Sequence, residues 1–197
     1  RIKQQFPRTK LIQTFGTSET GISQTSSQSS TSTLIKFDDP DTEYQIVEGE
    51  LWLRSKSQIL GYLNHEMSRF TEDGWFKTGD LLEPSDTEDG EGYYRIVGRK
   101  QEIINVGGEK VTPSEVESTL LEMPEIADCL VYGESNALTG QIVAAEIVLK
   151  AGTDPKVMKR AIKNYCRSQL SPYKVPARIQ FKEATNCSNR FKKMRIR

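Results

Sequence analysis

Phe76-Lys77-Thr78-Gly79-Asp80 sets a carboxylate directly after a glycine, and a carboxylate in that place can accept hydrogen bonds from both hydroxyls of a ribose. Gly98-Arg99 lies a short way downstream and adds a rigid cationic fork suited to the same sugar or to a phosphate. Upstream, Phe15-Gly16-Thr17-Ser18-Glu19-Thr20-Gly21 puts an aromatic ring beside a glycine, so a purine could stack there while the backbone comes close. The Ser18 hydroxyl can donate to a phosphate oxygen, and Glu19 offers the hard carboxylate oxygen that Mg²⁺ prefers. Each piece taken alone has a plainer reading: a turn aspartate, a surface arginine, hydroxyls that cap a bend. Their occurrence together and in order points to nucleotide chemistry.

The elements that must position these residues follow from pattern. Leu11–Phe15 reads as a short strand ending in a glycine-containing turn, and the Ser/Thr/Gln tract Ser23–Thr33 reads as a loop. Strand-like runs at Tyr44–Val47, Glu50–Leu53, Trp75–Leu82 and Tyr93–Val97 are divided by turn residues and build a β-rich piece. The acidic stretch Glu83–Glu91 joins two of them as an exposed hairpin loop. After Gly98-Arg99 the pattern turns to mixed α/β. Ile103–Val106 and Glu109–Val111 form a hairpin about Gly107-Gly108. Thr112-Pro113-Ser114-Glu115 has the form of a capping box opening a helix, with Val116, Thr119, Leu120 and Met123 on its inner face. Strands at Ile126–Tyr132 and Gln141–Leu149 come next. A second helix then opens at Asp154-Pro155, with a stripe of Val157, Ala161, Ile162 and Tyr165, and Arg178–Phe181 is the last strand. The expected class is α+β: a β-rich piece over 1–98 and a compact α/β domain over 99–197.

Bulk properties exclude several classes. The chain has 197 residues, 36% of them hydrophobic, and a formal net charge of +0, which gives no footing for nucleic-acid binding. No apolar run approaches the ~20 residues that span a bilayer, so no integral membrane segment is expected. Three cysteines (Cys129, Cys166 and Cys187), odd in number and far apart, argue for a reducing, cytoplasmic setting, with Cys129 in an apolar run as a core residue. One histidine, His65, reads as a surface residue at a helix end and leaves little basis for zinc. A first residue other than Met fits a piece of a longer protein.

With its three motifs in this order, the chain resembles the adenylate-forming ligases: acyl-CoA synthetases, luciferases and the adenylation domains of peptide synthetases. The resemblance covers the C-terminal portion of a family member. It implies ATP and CoA as substrates together with a small carboxylic acid, Mg²⁺ as the metal, and an N-terminal remainder of the same protein that holds the phosphate-binding loop and most of the acyl pocket. It gives Phe15 the adenine-stacking position beside Gly16 and Thr17, Ser18 the phosphate-binding hydroxyl and Glu19 the metal ligand. Asp80 and Arg99 become nucleotide contacts. Gly107 and Gly108 match the hairpin that faces the incoming thiol, although the turn itself also needs them, and Lys110 could reach a CoA or carrier phosphate. Gln101 falls at the hinge of the C-terminal domain. In the tail Asn189–Arg197, Lys193 aligns with the catalytic lysine that neutralises charge on the α-phosphate, with Lys192 in the place of the usual glycine and so a competitor for the role.

Three functions fit this reading. The first is the C-terminal part of an acyl-CoA ligase that forms acyl-AMP and passes the acyl group to CoA. The second is an adenylation domain that loads a carrier protein. The third is a non-catalytic module that keeps the fold.

Overall fold

The computed structural model describes residues 8, 14–29, 32–86 and 91–183. The chain divides into two compact units, Arg1–Val97 and Gly98–Arg197. The expected strand over Leu11–Phe15, the tip of the acidic loop at 87–90, Cys187 and the basic tail with Lys192 and Lys193 fall wholly or partly outside the described residues.

In the first unit, β1 (Phe15–Thr17) and β2 (Gly21–Ser23) make a two-stranded ribbon. β3 (Thr25–Ser27), β4 (Ile35–Phe37), β5 (Thr42–Val47), β6 (Glu50–Ser55), β7 (Phe76–Pro84) and β8 (Tyr94–Arg99) form a six-stranded sheet in the order β3-β4-β8-β7-β6-β5. Phe15, Ile35, Phe37, Leu51, Leu53 and Leu82 are the core, with Tyr44, Ile46, Tyr94 and Ile96 packed around it. The Ser/Thr tract expected as a loop supplies the last residue of β2 and all of β3. Thr25, Ser26 and Ser27 pair with Phe37, Lys36 and Ile35, and an edge strand needs only one satisfied ladder, which its backbone provides whatever its side chains are. His65 is exposed in a loop, not at a helix end.

The second unit is a sheet under two helices. β9 (Ile104–Val106) and β10 (Glu109–Val111) close a hairpin over Gly107-Gly108, and α1 is Pro113–Leu121. β11 (Ile126–Asn136) and β12 (Gly140–Leu149) form a long antiparallel ribbon, α2 is Pro155–Gln169, and β13 (Arg178–Phe181) adds parallel to β12. Cys129 and Val131 of β11 and Val143, Ala145 and Ile147 of β12 face the helices. Leu130, Tyr132 and Ala144 face the other way and are equally buried, so both sides of this sheet are covered.

Two local expectations are corrected. Thr112 makes no side-chain cap bond at the start of α1. Glu115 instead takes Lys174 Nζ at 2.6 Å, because an ammonium offers a stronger, charge-assisted donor than a backbone N–H. In α2 the buried stripe is Met158, Ile162 and Cys166, while Val157 is 66% exposed. Asp154 sets that phase by accepting Lys156 N–H at 2.9 Å as N-cap, and the stripe follows from there at a spacing of one turn. Burial pushes the Cys166 thiol up to about 11, so it is a packing group and not a nucleophile.

The phase of α2 can be measured. Ile162→Ala should lose about 2–5 kcal/mol of unfolding free energy in urea. Val157→Ala should change it by less than about 0.5 kcal/mol. Equal losses would place the helix in the other register.

Candidate nucleotide site

β1 and β2 are joined by Ser18-Glu19-Thr20, and Thr17 closes the turn. Its hydroxyl accepts Thr20 N–H at 3.0 Å and lies 2.8 Å from the Thr20 hydroxyl. With Thr17 occupied, Ser18 points to solvent and Glu19 is half-buried. A segment without regular secondary structure holds this turn from outside. Ile59 N–H donates to Glu19 O at 2.9 Å and the Ser57 hydroxyl to Thr20 O at 3.3 Å. The Tyr62 hydroxyl donates to Glu19 Oε1 at 2.8 Å. Burial first, and then the bond to Glu19, hold the Tyr62 phenol above its ordinary range, so it stays a donor.

The second motif sits in a break of the β6–β7 ladder. Trp52 pairs with Lys77, but Glu50 pairs with Leu81, so Thr78-Gly79-Asp80 carries two residues more than the facing strand can match. Gly79 takes φ 75°, the left-handed region that a side chain would strain by about 1–2 kcal/mol. Polar groups of the bulge find partners within the sheet. Gly79 N–H donates to the buried Glu50 Oε1 at 3.0 Å, and the Thr78 hydroxyl donates to Leu51 O at 2.7 Å while accepting Asp80 N–H at 3.0 Å. Arg69 clasps the entering strand, with Nε and Nη2 on Lys77 O at 3.0 and 2.7 Å and Nη2 also on Thr78 O. Asp80 is 7% exposed.

Arg99 ends β8 at the surface, and the 3₁₀ turn Lys100–Glu102 that follows contains the exposed Gln101. Gly107 and Gly108 are the two central residues of the β9–β10 hairpin at φ 62° and 96°, as a type I′ turn requires. Gly107 N–H donates to Thr139 O at 2.9 Å and Gly108 N–H to Asn105 Oδ1 at 2.9 Å. Lys110 is exposed on β10.

Among the residues expected to act, Ser18, Glu19 and Asp80 lie in the first unit, and Arg99, Gly107, Gly108 and Lys110 in the second. Phe15 is a correction. Its ring is 7% exposed and packs edge-on against Phe37 with centroids 5.7 Å apart, so the face expected to take adenine belongs to the core. Strand alternation turns Phe15 inward and leaves Gly16 and its open backbone outside. Sequence reasoning missed Glu50, Tyr62 and Arg69. Tyr62 is 43 residues from Glu19, in a stretch without periodicity, and no local pattern joins them.

Residues 115–191 match the AMP-binding enzyme C-terminal domain family. A naringenin synthase of Pestalotiopsis fici is 39% identical over 150 residues, which is 70% of this chain and 5% of that protein. The 4-coumarate–CoA ligase-like 4 of Oryza sativa is 31% identical over 201 residues, 91% of this chain and 35% of its own length. The chain therefore spans about a third, or much less, of these curated relatives. Among solved structures, o-succinylbenzoate CoA synthetase from Bacillus subtilis, in complex with its acyl-adenylate intermediate, superposes with TM-score 0.69 at 27% identity, over 81% of this chain and 34% of that one. An ATP-bound RpMatB-BxBclM chimera reaches TM-score 0.80 at 23% identity over 91% of this chain and 38% of its own, a likeness of fold.

Arg69→Leu should loosen the bulge. Losing charged donors to two strand carbonyls should cost about 1.5–3 kcal/mol in urea unfolding. An unchanged midpoint would show that β7 holds its shape without the clasp.

Proposed function

We propose, from the premise that residues 115–191 belong to the AMP-binding enzyme C-terminal domains, that this chain is the C-terminal part of a longer ATP-dependent acyl-CoA ligase. That enzyme joins a carboxylic acid to the α-phosphate of ATP, expelling pyrophosphate. The CoA thiol then attacks the acyl carbonyl of the mixed anhydride and AMP leaves. The observation that carries the reading is the pinned bulge. A buried carboxylate, fixed at its backbone before any ligand arrives, is the preorganised acceptor that two ribose hydroxyls need.

In this mechanism Asp80 accepts both ribose hydroxyls and Arg99 neutralises the sugar-phosphate side. Ser18 donates to a phosphate oxygen, and the open backbone at Gly16-Thr17 lies along the purine. Lys193, or Lys192 if the tail is shifted by one position, stabilises the charge that grows on the α-phosphate. The Gly107-Gly108 tip lets the pantetheine arm pass close to backbone, and Lys110 meets a CoA phosphate. The residues present fit Mg²⁺. Among the described residues no three His, Cys, Asp or Glu side chains converge, but this ion is commonly held by one or two carboxylates plus substrate phosphates, and Glu19 is a half-buried carboxylate on a hydroxyl-rich turn. When bound, the ion would neutralise phosphate charge. The chemistry is that of the reducing cytoplasm, where CoA thiols persist.

A second reading, the loading of a carrier protein, is favoured by one observation. The chain matches a segment amounting to 5% of the fungal naringenin synthase, so similar segments occur within far longer proteins.

Purified full-length protein decides between the two. The ligase should release pyrophosphate from ATP only with an acid present and should form a thioester with free CoA. Thioester formation on a carrier protein but not on CoA would favour the second reading. Asp80→Ala should weaken ATP binding by about 10- to 150-fold, the equivalent of one charge-assisted hydrogen bond of roughly 1.5–3 kcal/mol. Unchanged affinity in calorimetry would remove Asp80 from the site. Lys193→Ala should slow adenylation by ~10²–10³-fold and spare thioester formation from supplied acyl-AMP.

A further inference from the structure

The segment from Ser57 to Phe70 lies outside every motif, yet it touches both halves of the candidate site in the first unit. At one end, Ser57, Ile59 and Tyr62 bond the Ser18-Glu19-Thr20 turn. At the other, Arg69 bonds Lys77 O and Thr78 O, and Lys77 N–H returns a bond to Arg69 O at 2.8 Å. Aromatic contacts run between the two ends. Tyr62 meets Phe70 edge-on at 6.3 Å, Phe70 packs on Phe76 at 4.9 Å, and the Arg69 guanidinium lies over Phe76 at 4.7 Å.

The contact to Glu19 differs in kind from the others. Ser57 and Ile59 take backbone carbonyls and so fix where the turn lies. Tyr62 takes the carboxylate itself, and among the described residues it is the hydrogen-bond partner of that carboxylate. A glutamate has three rotatable side-chain bonds, and an unrestrained one loses rotamer freedom when it binds an ion. A phenol that holds Oε1 restricts the rotation of the carboxyl group before any ion arrives. Because the phenol is neutral, it orients the carboxylate without cancelling the charge that attracts a cation, as an arginine in its place would.

We propose that Tyr62 is a positioning residue that presents the Glu19 carboxylate to the Mg²⁺ of Mg·ATP, and that segment 57–70 ties this carboxylate to the ribose-binding bulge. The inference rests on the reading of Glu19 as the metal-binding carboxylate, and its test separates the two. ATP affinity of the full-length protein is measured by calorimetry in the presence of Mg²⁺ and in its absence with chelator, and the ratio is the Mg²⁺ gain. Tyr62→Phe keeps the ring contacts and should cut that gain by about 3- to 10-fold, roughly 1 kcal/mol of lost side-chain ordering, while affinity for metal-free ATP stays within about 2-fold. Glu19→Gln should abolish the gain, and adding Tyr62→Phe to it should change nothing further. Ser57→Ala, which removes a bond to the turn backbone and one to the Ser55 hydroxyl but none to the carboxylate, should leave the gain intact.

An undiminished gain in Glu19→Gln overturns the reading of Glu19 itself. A gain lost in Glu19→Gln but kept in Tyr62→Phe overturns the positioning role and leaves that reading standing. Equal loss in Ser57→Ala and Tyr62→Phe would also overturn it, because the hydroxyl would then act only by stabilising the turn.

Discussion

Between the pairs Trp52↔Lys77 and Glu50↔Leu81 the β6–β7 ladder has two residues too many on one side, and the geometry of the candidate site depends on how that mismatch is held. An unpaired bulge would expose N–H and C=O groups to a largely buried interior, at about 1–3 kcal/mol for each group left without a partner. Here the neighbouring strand supplies the partners. Glu50 gives a carboxylate to Gly79 N–H, and Leu51 gives its carbonyl to the Thr78 hydroxyl. The ladder then resumes at Leu82 N–H on Gly49 O, 2.8 Å. The bulge is thus pinned by hydrogen bonds at Thr78, Gly79 and Asp80 N–H.

That arrangement explains why polar residues without a catalytic task are buried in this unit. Glu50 is 5% exposed and Thr78 2%, positions where an apolar pair would pack more cheaply. Glu50 acts on the backbone of β7 at Gly79, and Thr78 on the backbones of β6 and β7 at Leu51 and Asp80. Arg69 does the same from the opposite side of the sequence, using its fork on successive carbonyls while its flat face covers Phe76. Glu50, Thr78 and Asp80 are thus buried together where regular β6–β7 pairing fails.

How much of this was legible in the sequence follows the range of the interactions. The hairpin at Gly107-Gly108, strands β5 to β8 of the first sheet and the α+β class were readable, because turn residues and alternation are local. In α2 Ala161, Ile162 and Tyr165 do pack on the core and Val157 was misjudged, since Val157 and Met158 are adjacent and equally apolar and the N-cap at Asp154 decides between them. Thr25–Ser27 was misjudged for the opposite reason: nothing in its side chains favours a strand, and its pairing with Ile35–Phe37 creates one. The motif residues Ser18, Glu19 and Asp80 could be named, but the groups that hold them could not. Tyr62 reaches Glu19 across 43 residues, and Glu50 reaches Gly79 across 29.

The second unit meets the same problem with different means. The Gly107-Gly108 tip is exposed, but its backbone is not loose. Thr139 O and Asn105 Oδ1 take the two glycine N–H groups, and Gln141 Oε1 takes Asn105 N–H at 2.8 Å. Thr139 is itself fixed, its hydroxyl donating to Gln141 O at 2.7 Å. The β11–β12 turn therefore braces the β9–β10 turn, and the braced backbone is carried on a sheet buried on both faces. Glycine here supplies the positive φ that the tip requires, and the neighbouring polar side chains remove the freedom that glycine would otherwise add. In both units, then, a glycine creates an unusual backbone shape and polar side chains distant in sequence make that shape rigid. A ligand-binding backbone needs this combination, since its own conformation must be settled before the ligand arrives.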